Sequence, residues 1–326
     1  MEIKAKKNRL FRGGKNSEKN RRIEKRSGGL LKKGQTVFLV AILAFPLLQW
    51  CVCWLYVNLS SFALAFQDPR TSDFSFVNFV QFWESLTSPY GEIGLALRNT
   101  LIYFATSLCA ILPLSFVITY FLYKKIAFYK GFRVIFYFPA IISSVAMVAV
   151  YTSFIAPEGP FGILMKALGA ELPPESLLGR DSTATWAIVV YNIWTGFGTN
   201  ILLLSGAMTR IPTEVIESAN LEGCGPWREL ALIIFPLVWS TISTQIIFIC
   251  TAIFNSSGPI LLFTNGANRT TTLSFWIFAQ VYGTGAVGGS GSYNLVSAVG
   301  LCFTLVGVPI LLFVRWLTER FSAVEY

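Results

Sequence analysis

Six stretches of this sequence are each long and apolar enough to cross a bilayer, and that leaves few folds open. A hydrocarbon core about 30 Å thick needs roughly 20 apolar residues of helix at ~1.5 Å per residue. Residues 36–59, 97–123, 134–155, 184–208, 237–257 and 294–317 meet that requirement. In lipid a helix satisfies its backbone polar groups within its own segment. The expected fold class is therefore an all-α membrane protein with six transmembrane helices. Pro46, Pro113, Pro139 and Pro309 fall within spans, which membrane bundles tolerate. The run from Leu273 to Tyr282 is about half a span and reads as an interfacial or re-entrant helix. A composition of 54% hydrophobic and 13% charged residues excludes an ordinary soluble domain.

Charge sets the orientation. Of the 26 Lys and Arg residues, 13 lie in residues 1–33, against three acids. Residues 1–35 are thus a basic arm expected in the cytoplasm, in contact with anionic membrane lipid. A nucleic-acid role is not expected, because the arm holds one aromatic residue, Phe11, and no platform on which bases would stack. Lys124, Lys125, Lys130 and Arg133 crowd the short second loop, so alternation puts both termini in the cytoplasm. The apolar run before Ala63-Leu64-Ala65 is longer than the core of a signal peptide, and an uncleaved span is expected. The chain has no histidine, and its six cysteines lack zinc-ligand spacing in a polar setting. No metal site is expected.

The sequence also bears on the energy source. None of the six spans has an Asp, Glu or Lys near its centre, where proton- or ion-coupled carriers keep one. Nor is there a loop to cradle phosphates: Gly13-Gly14-Lys15 is followed by Asn16 and lies in the basic arm. No catalytic residue and no cofactor are expected in this chain; ATP and Mg, if used, belong to a partner subunit.

Between the fourth and fifth spans, residues 209–235 form a long polar connection. Pro212 suits a first helical turn, Glu214 and Glu217 complement the positive end of the helix dipole, and Gly223 with Gly225-Pro226 ends the helix. Val215, Ile216 and Ala219 make an apolar patch beside Glu217 and Ser218. A second helix then runs from about Trp227 past Pro236 into the membrane. The loop reads as a short amphipathic helix across the cytoplasmic end of the bundle, a glycine hinge, and a helix that transmits tilt directly into a span. Composition alone favours instead a helix resting on lipid.

The spacing narrows this choice. Glu217-Ser218-Ala219, then Gly223, then Ile233 and Phe235-Pro236 resemble the E-A-A, three residues, G, nine residues, I-x-L-P signature of binding-protein-dependent ABC importer permeases. Ser218 stands where the signature has alanine and Phe235 where it has leucine. The resemblance extends to the Asn-Thr-Leu opening of the second span within Phe76 to Phe104, and to the stretch Phe254 to Gly283, as in the carbohydrate-uptake branch. It implies a type I importer permease fold in a bacterial plasma (inner) membrane. It also implies a coupling role for Glu217, Ser218, Ala219, Gly223, Ile233 and Pro236 against a cytoplasmic ABC ATPase dimer. The further partners it implies are a second homologous permease and an extracytoplasmic solute-binding protein.

For the solute path, Asn192, Thr195, Gly196 and Thr199 share one face of the fourth span, and Thr244, Thr251, Asn255 and Ser256 mark the fifth. Asn192, Gly196, Thr199, Asn255 and Ser256 are the candidates for lining it; small polar residues of this kind also serve helix packing. The expected function is ATP-driven import of a sugar or oligosaccharide. A gradient-driven secondary carrier and a membrane scaffold without transport are the alternatives.

Overall fold

The computed structural model describes residues 33–169, 175–253, 259–283 and 293–320. The chain divides into two compact units, residues 1–61 and 62–326. In the first, the described residues are helical, with Val37–Ala65 apolar enough to span a membrane and running on to the start of the second unit. Trp50 and Trp54 stack one turn apart, and the Asn58 amide donates to the Trp54 carbonyl.

Among the described residues the second unit has no strand; an isolated bridge pairs Gln67 with Phe74. A surface helix α1 (Val77–Thr87) precedes the second span, α2 (Glu92–Tyr123). Glu92 in the first turn of α2 complements the helix dipole. Within α2, Ser107–Ile111 relaxes to a π-turn, and Leu230–Ile234 does the same further on. Each stands just before a proline, Pro113 or Pro236, whose missing N–H removes an i to i−4 bond.

The third span differs from the single run expected. Helix α3 (Tyr129–Ile141) stops at extended Ile142 and Ser143, and the candidate span is Ser144–Ala167, which opens with α4 (Ser144–Ile155). Pro139 sits in the last turn of α3, so the helix is already short of a backbone donor where it stops. A short helix α5 (Pro160–Ala167) follows, then α6 (Ala184–Met208), the most buried of the candidate spans.

The loop after α6 folds into α7 (Thr213–Leu221) and α8 (Pro226–Leu237), and α9 (Trp239–Ala252) continues from α8 after a bend of 75° at Val238. The expectation of a helix passing straight into the fifth span is thereby corrected. Pro236 carries no N–H to continue the ladder, and Val238 sits at φ −101°, ψ 8°, outside the helical basin. The half-span helix α10 (Leu273–Tyr282) is packed inside the protein through Leu273, Phe275, Trp276 and Ala279. The last span is α11 (Tyr293–Arg320). Among the described residues five helices are thus long and apolar enough to cross a membrane, and the bent pair α8–α9, taken as one span, makes a sixth.

At one end of the unit, Leu112 and Tyr120 of α2, Leu204 and Met208 of α6, Ile216 of α7, Leu230 and Ile234 of α8 and Ile242 of α9 form one buried cluster. Lipid is as apolar as these side chains, so what the cluster contributes is close van der Waals packing rather than escape from water. Glycine permits the closest approach. A Cβ on Gly198 of α6 would lie 2.6 Å from the Ala140 Cβ of α3.

Candidate functional site

The helix α7 has two unlike faces. Ile216 is buried in the cluster just described with half-buried Val215 against it, and Ala219 is buried too, while Glu214, Glu217, Ser218 and Leu221 are exposed. Residues 214, 217, 218 and 221 follow the 3.6-residue period and form one outer stripe. The apolar face therefore belongs to the protein interior. Outside stand two carboxylates and, at its tip, Leu221, which is 89% exposed.

The glycine after this helix has a defined task. Gly223 adopts φ +74°, its N–H bonds to the Asn220 carbonyl, and the Cys224 N–H reaches back to Ala219. That pair of bonds is a Schellman ending, which needs a left-handed residue at this position. Gly223 is exposed, and a Cβ placed on it would meet no atom within 4 Å. Of the six signature residues, Glu217, Ser218 and Gly223 are thus presented outward, Ala219 is inside, and Ile233 and Pro236 are half-buried on α8.

α8 is strapped to the end of α2. The Lys124 ammonium lies 2.8 Å from each carboxylate oxygen of Glu229. Glu229 is 1% exposed, so its charge is compensated by a lysine that still reaches solvent. Phe121 meets Trp227 edge to face at 5.7 Å, and Phe116 meets Phe235 likewise at 5.9 Å. Sequence reading missed Glu229. The available signal was its position as the one acid in an exit helix that is apolar from Leu230 onward.

At the start of α2, Asn99 and Thr100 hold another element. The Asn99 amide donates to the carbonyls of Arg269 and Thr271, and the Thr100 hydroxyl accepts from the Leu273 N–H. The Asn-Thr opening noted in the sequence is therefore a staple for the turn before α10.

The candidate path residues are only partly gathered. On α6, Asn192 is half-buried and Thr199 exposed, while Gly196 lies against Ile111 of α2, whose side chain would be 2.9 Å from an added Cβ. Gly196 thus lets α6 and α2 approach closely at this point. The hydroxyls of Thr195, Thr244 and Thr251 donate to carbonyls of their own helices. Asn255 and Ser256 lie outside the described residues. A cavity of about 100 Å³ between the second and fifth spans is lined by Thr100, Tyr103, Phe104 and Ser107 on one side and Ile249, Ala252 and Ile253 on the other. Sequence reading did not single out Tyr103 or Ser107.

Comparison with known proteins accords with this architecture. The family described as binding-protein-dependent transport system inner membrane component matches residues 111–323. A probable ABC transporter permease of Mycoplasma genitalium is 27% identical over 227 residues, covering 66% of this chain and 64% of its own length. The multiple sugar-binding transport system permease protein MsmF of Streptococcus mutans is 24% identical over 255 residues, covering 77% and 84%. The solved structure of a bacterial ABC transporter involved in import of the acidic polysaccharide alginate contains a chain of the same fold. It superposes with a TM-score of 0.73 at 21% identity, covering 87% of this chain and 96% of that one. The residues matched, the helical architecture and the signature on α7 and α8 agree: this chain belongs to the family of binding-protein-dependent transport system inner membrane components, the permeases of ABC importers, and has the type I importer permease fold.

Proposed function

We propose that this chain is the permease subunit of an ATP-driven importer for a sugar or oligosaccharide. It pairs with a second homologous permease, takes its solute from an extracytoplasmic binding protein, and is driven by a cytoplasmic ATPase dimer that holds ATP and Mg. The basic loop residues Lys124, Lys125, Lys130 and Arg133 put the α7 end of the bundle in the cytoplasm.

The observation that carries the reading is the division of α7. A helix resting on lipid turns its apolar face to the acyl chains. Here that face is turned inward: Ile216 packs into the protein's buried cluster and Ala219 is buried beside it. Outward stand Glu214 and Glu217, which anionic headgroups repel, and the projecting Leu221. An acidic knob with an apolar tip suits a cleft in a protein partner. Binding and hydrolysis of ATP would move that partner and, through α7, switch the bundle between outward- and inward-facing states.

The solute class is supported by relatives, MsmF among them, whose names describe sugar transport, and by the alginate importer's fold. Spans without a central Asp, Glu or Lys suit an uncharged polyhydroxyl solute better than an ion-coupled one.

Purification of the tagged protein from its host membrane tests this directly. An ABC ATPase and a solute-binding protein should accompany it, and Glu217→Arg or Gly223→Pro should remove the ATPase and abolish uptake. Retention of both by these variants would overturn the docking role.

A further inference from the structure

We infer that Lys124 and Glu229 clasp the exit helix α8 to the second span, making the second span the first membrane element that the coupling loop moves, ahead of the fifth. This rests on the coupling role proposed for α7 and specifies which span takes the load.

Three contacts join the two elements along the α2–α8 seam: Phe116 with Phe235, Phe121 with Trp227, and Lys124 with Glu229. The last is the strongest positional constraint. A carboxylate that is 1% exposed is held by one ammonium 2.8 Å from both its oxygens, and that ammonium also lies 5.9 Å from the ring centre of Tyr120. Moving α8 away from α2 would strand Glu229 as an uncompensated buried charge, so sliding at this seam is disfavoured. Helix α7 joins the same body, because Ile216 shares the cluster of Leu112, Tyr120, Leu230 and Ile234, which Ile242 of α9 also reaches from past the bend.

Past the bend the attachments change. α9 turns away from α8 by 75°, and its first residue, Trp239, donates from its indole to the Thr318 carbonyl of the last span. A push along α8 therefore has no straight path along α9. It is delivered sideways into α2 through the clasp, while α9, which meets that cluster through apolar packing at Ile242, is hydrogen-bonded to α11. Packed cores switch between discrete arrangements rather than stretch, so the seam between moving and lagging parts is expected at Val238.

Paired spin labels in the assembled importer read this without knowledge of the solute. In a background whose native cysteines are replaced, one pair takes Lys125→Cys with Arg228→Cys, on one side of the bend. The other takes Arg228→Cys with Phe248→Cys, across it. Vanadate trapping with ATP should leave the first distance unchanged and shift the second. Glu229→Gln should broaden the first distribution, and the exchange Lys124→Glu with Glu229→Lys should narrow it again. A first distance that shifts as much as the second, or one indifferent to Glu229→Gln, would overturn the clasp. If neither distance responds while the ATPase remains bound, the coupling role of α7 falls, and the clasp falls with it as transport machinery.

Discussion

Asn99 holds Thr271 across 172 residues of sequence: its side-chain amide donates to the Thr271 carbonyl at 2.9 Å and to that of Arg269 at 2.7 Å. The segment so held is costly. Asn265, Gly266, Asn268 and Arg269 all have positive φ, between +49° and +80°, a conformation that side chains other than glycine adopt at a penalty. The two amide bonds, with the Thr264–Thr270 hydroxyl contact at 2.6 Å, keep that turn in place before α10.

Asn99→Asp and Asn99→Leu should therefore destabilise the protein alike. Asn99 is 2% exposed, so either change removes the donor from the buried Thr271 carbonyl, at roughly 1–3 kcal/mol, and from the part-buried Arg269 carbonyl as well. The aspartate additionally turns a carboxylate toward two carbonyl oxygens. Thermal unfolding in detergent checks this; an Asn99→Asp protein that melts with the wild type would show that the staple contributes nothing.

The two faces of α7 should separate folding from docking. Ile216→Ala removes a buried side chain from the cluster that includes Met208 and Leu230 and should cost about 2–5 kcal/mol. Leu221→Asp alters an exposed tip and should leave unfolding within ~0.5 kcal/mol of wild type, while ATPase co-purification is lost. Melting curves and pull-down yields from the same preparations distinguish the two. If Leu221→Asp retained the ATPase, docking would have to use another surface.

Gly223 isolates backbone conformation from packing. No atom lies within 4 Å of an added Cβ, so Gly223→Ala pays only for its left-handed φ of +74°, about 1–2 kcal/mol. Gly223→Asn should pay less, because asparagine enters that region more readily. The order Gly, Asn, Ala in melting temperature and in retained ATPase is the expected result; an Ala variant as stable as wild type would remove the Schellman requirement.

What was legible in the sequence follows from which signals are local. Apolar runs about one bilayer long mark spans, so residues 184–208 could be delimited from hydropathy alone. The spacing from Glu217 to Pro236 marked the loop, because a helix, its left-handed glycine and the following proline are all local chemistry. Breaks inside spans were less visible: Ile142-Ser143 and Val238 interrupt continuous apolar sequence, and only the prolines just before them give warning. Contacts between distant segments left almost no trace. Glu229 looks like a surface acid until Lys124, 105 residues earlier, is brought beside it. Nothing near Gly196 in the sequence shows that Ile111, 85 residues earlier, packs against its face.

The glycines of α6 test whether this helix is built for packing. A Cβ at Gly198 would lie 2.6 Å from the Ala140 Cβ and 3.2 Å from the Phe136 carbonyl oxygen, both part of the rigid α3. Gly198→Ala must push two helices apart and should cost ~1–3 kcal/mol. At Gly196 the nearest atom is the Ile111 Cδ1, at 2.9 Å, the movable end of a side chain, so Gly196→Ala should cost less. Gly206 meets nothing within 4 Å, and there alanine should stabilise by roughly 0.5–1 kcal/mol through helix propensity. The expected order of melting temperatures is Gly206→Ala above wild type, then Gly196→Ala, then Gly198→Ala. Uptake per folded protein should be unchanged by Gly196→Ala, since its face is already filled. A selective loss of uptake at unchanged stability would return Gly196 to the solute path and mean that Ile111 moves aside during transport.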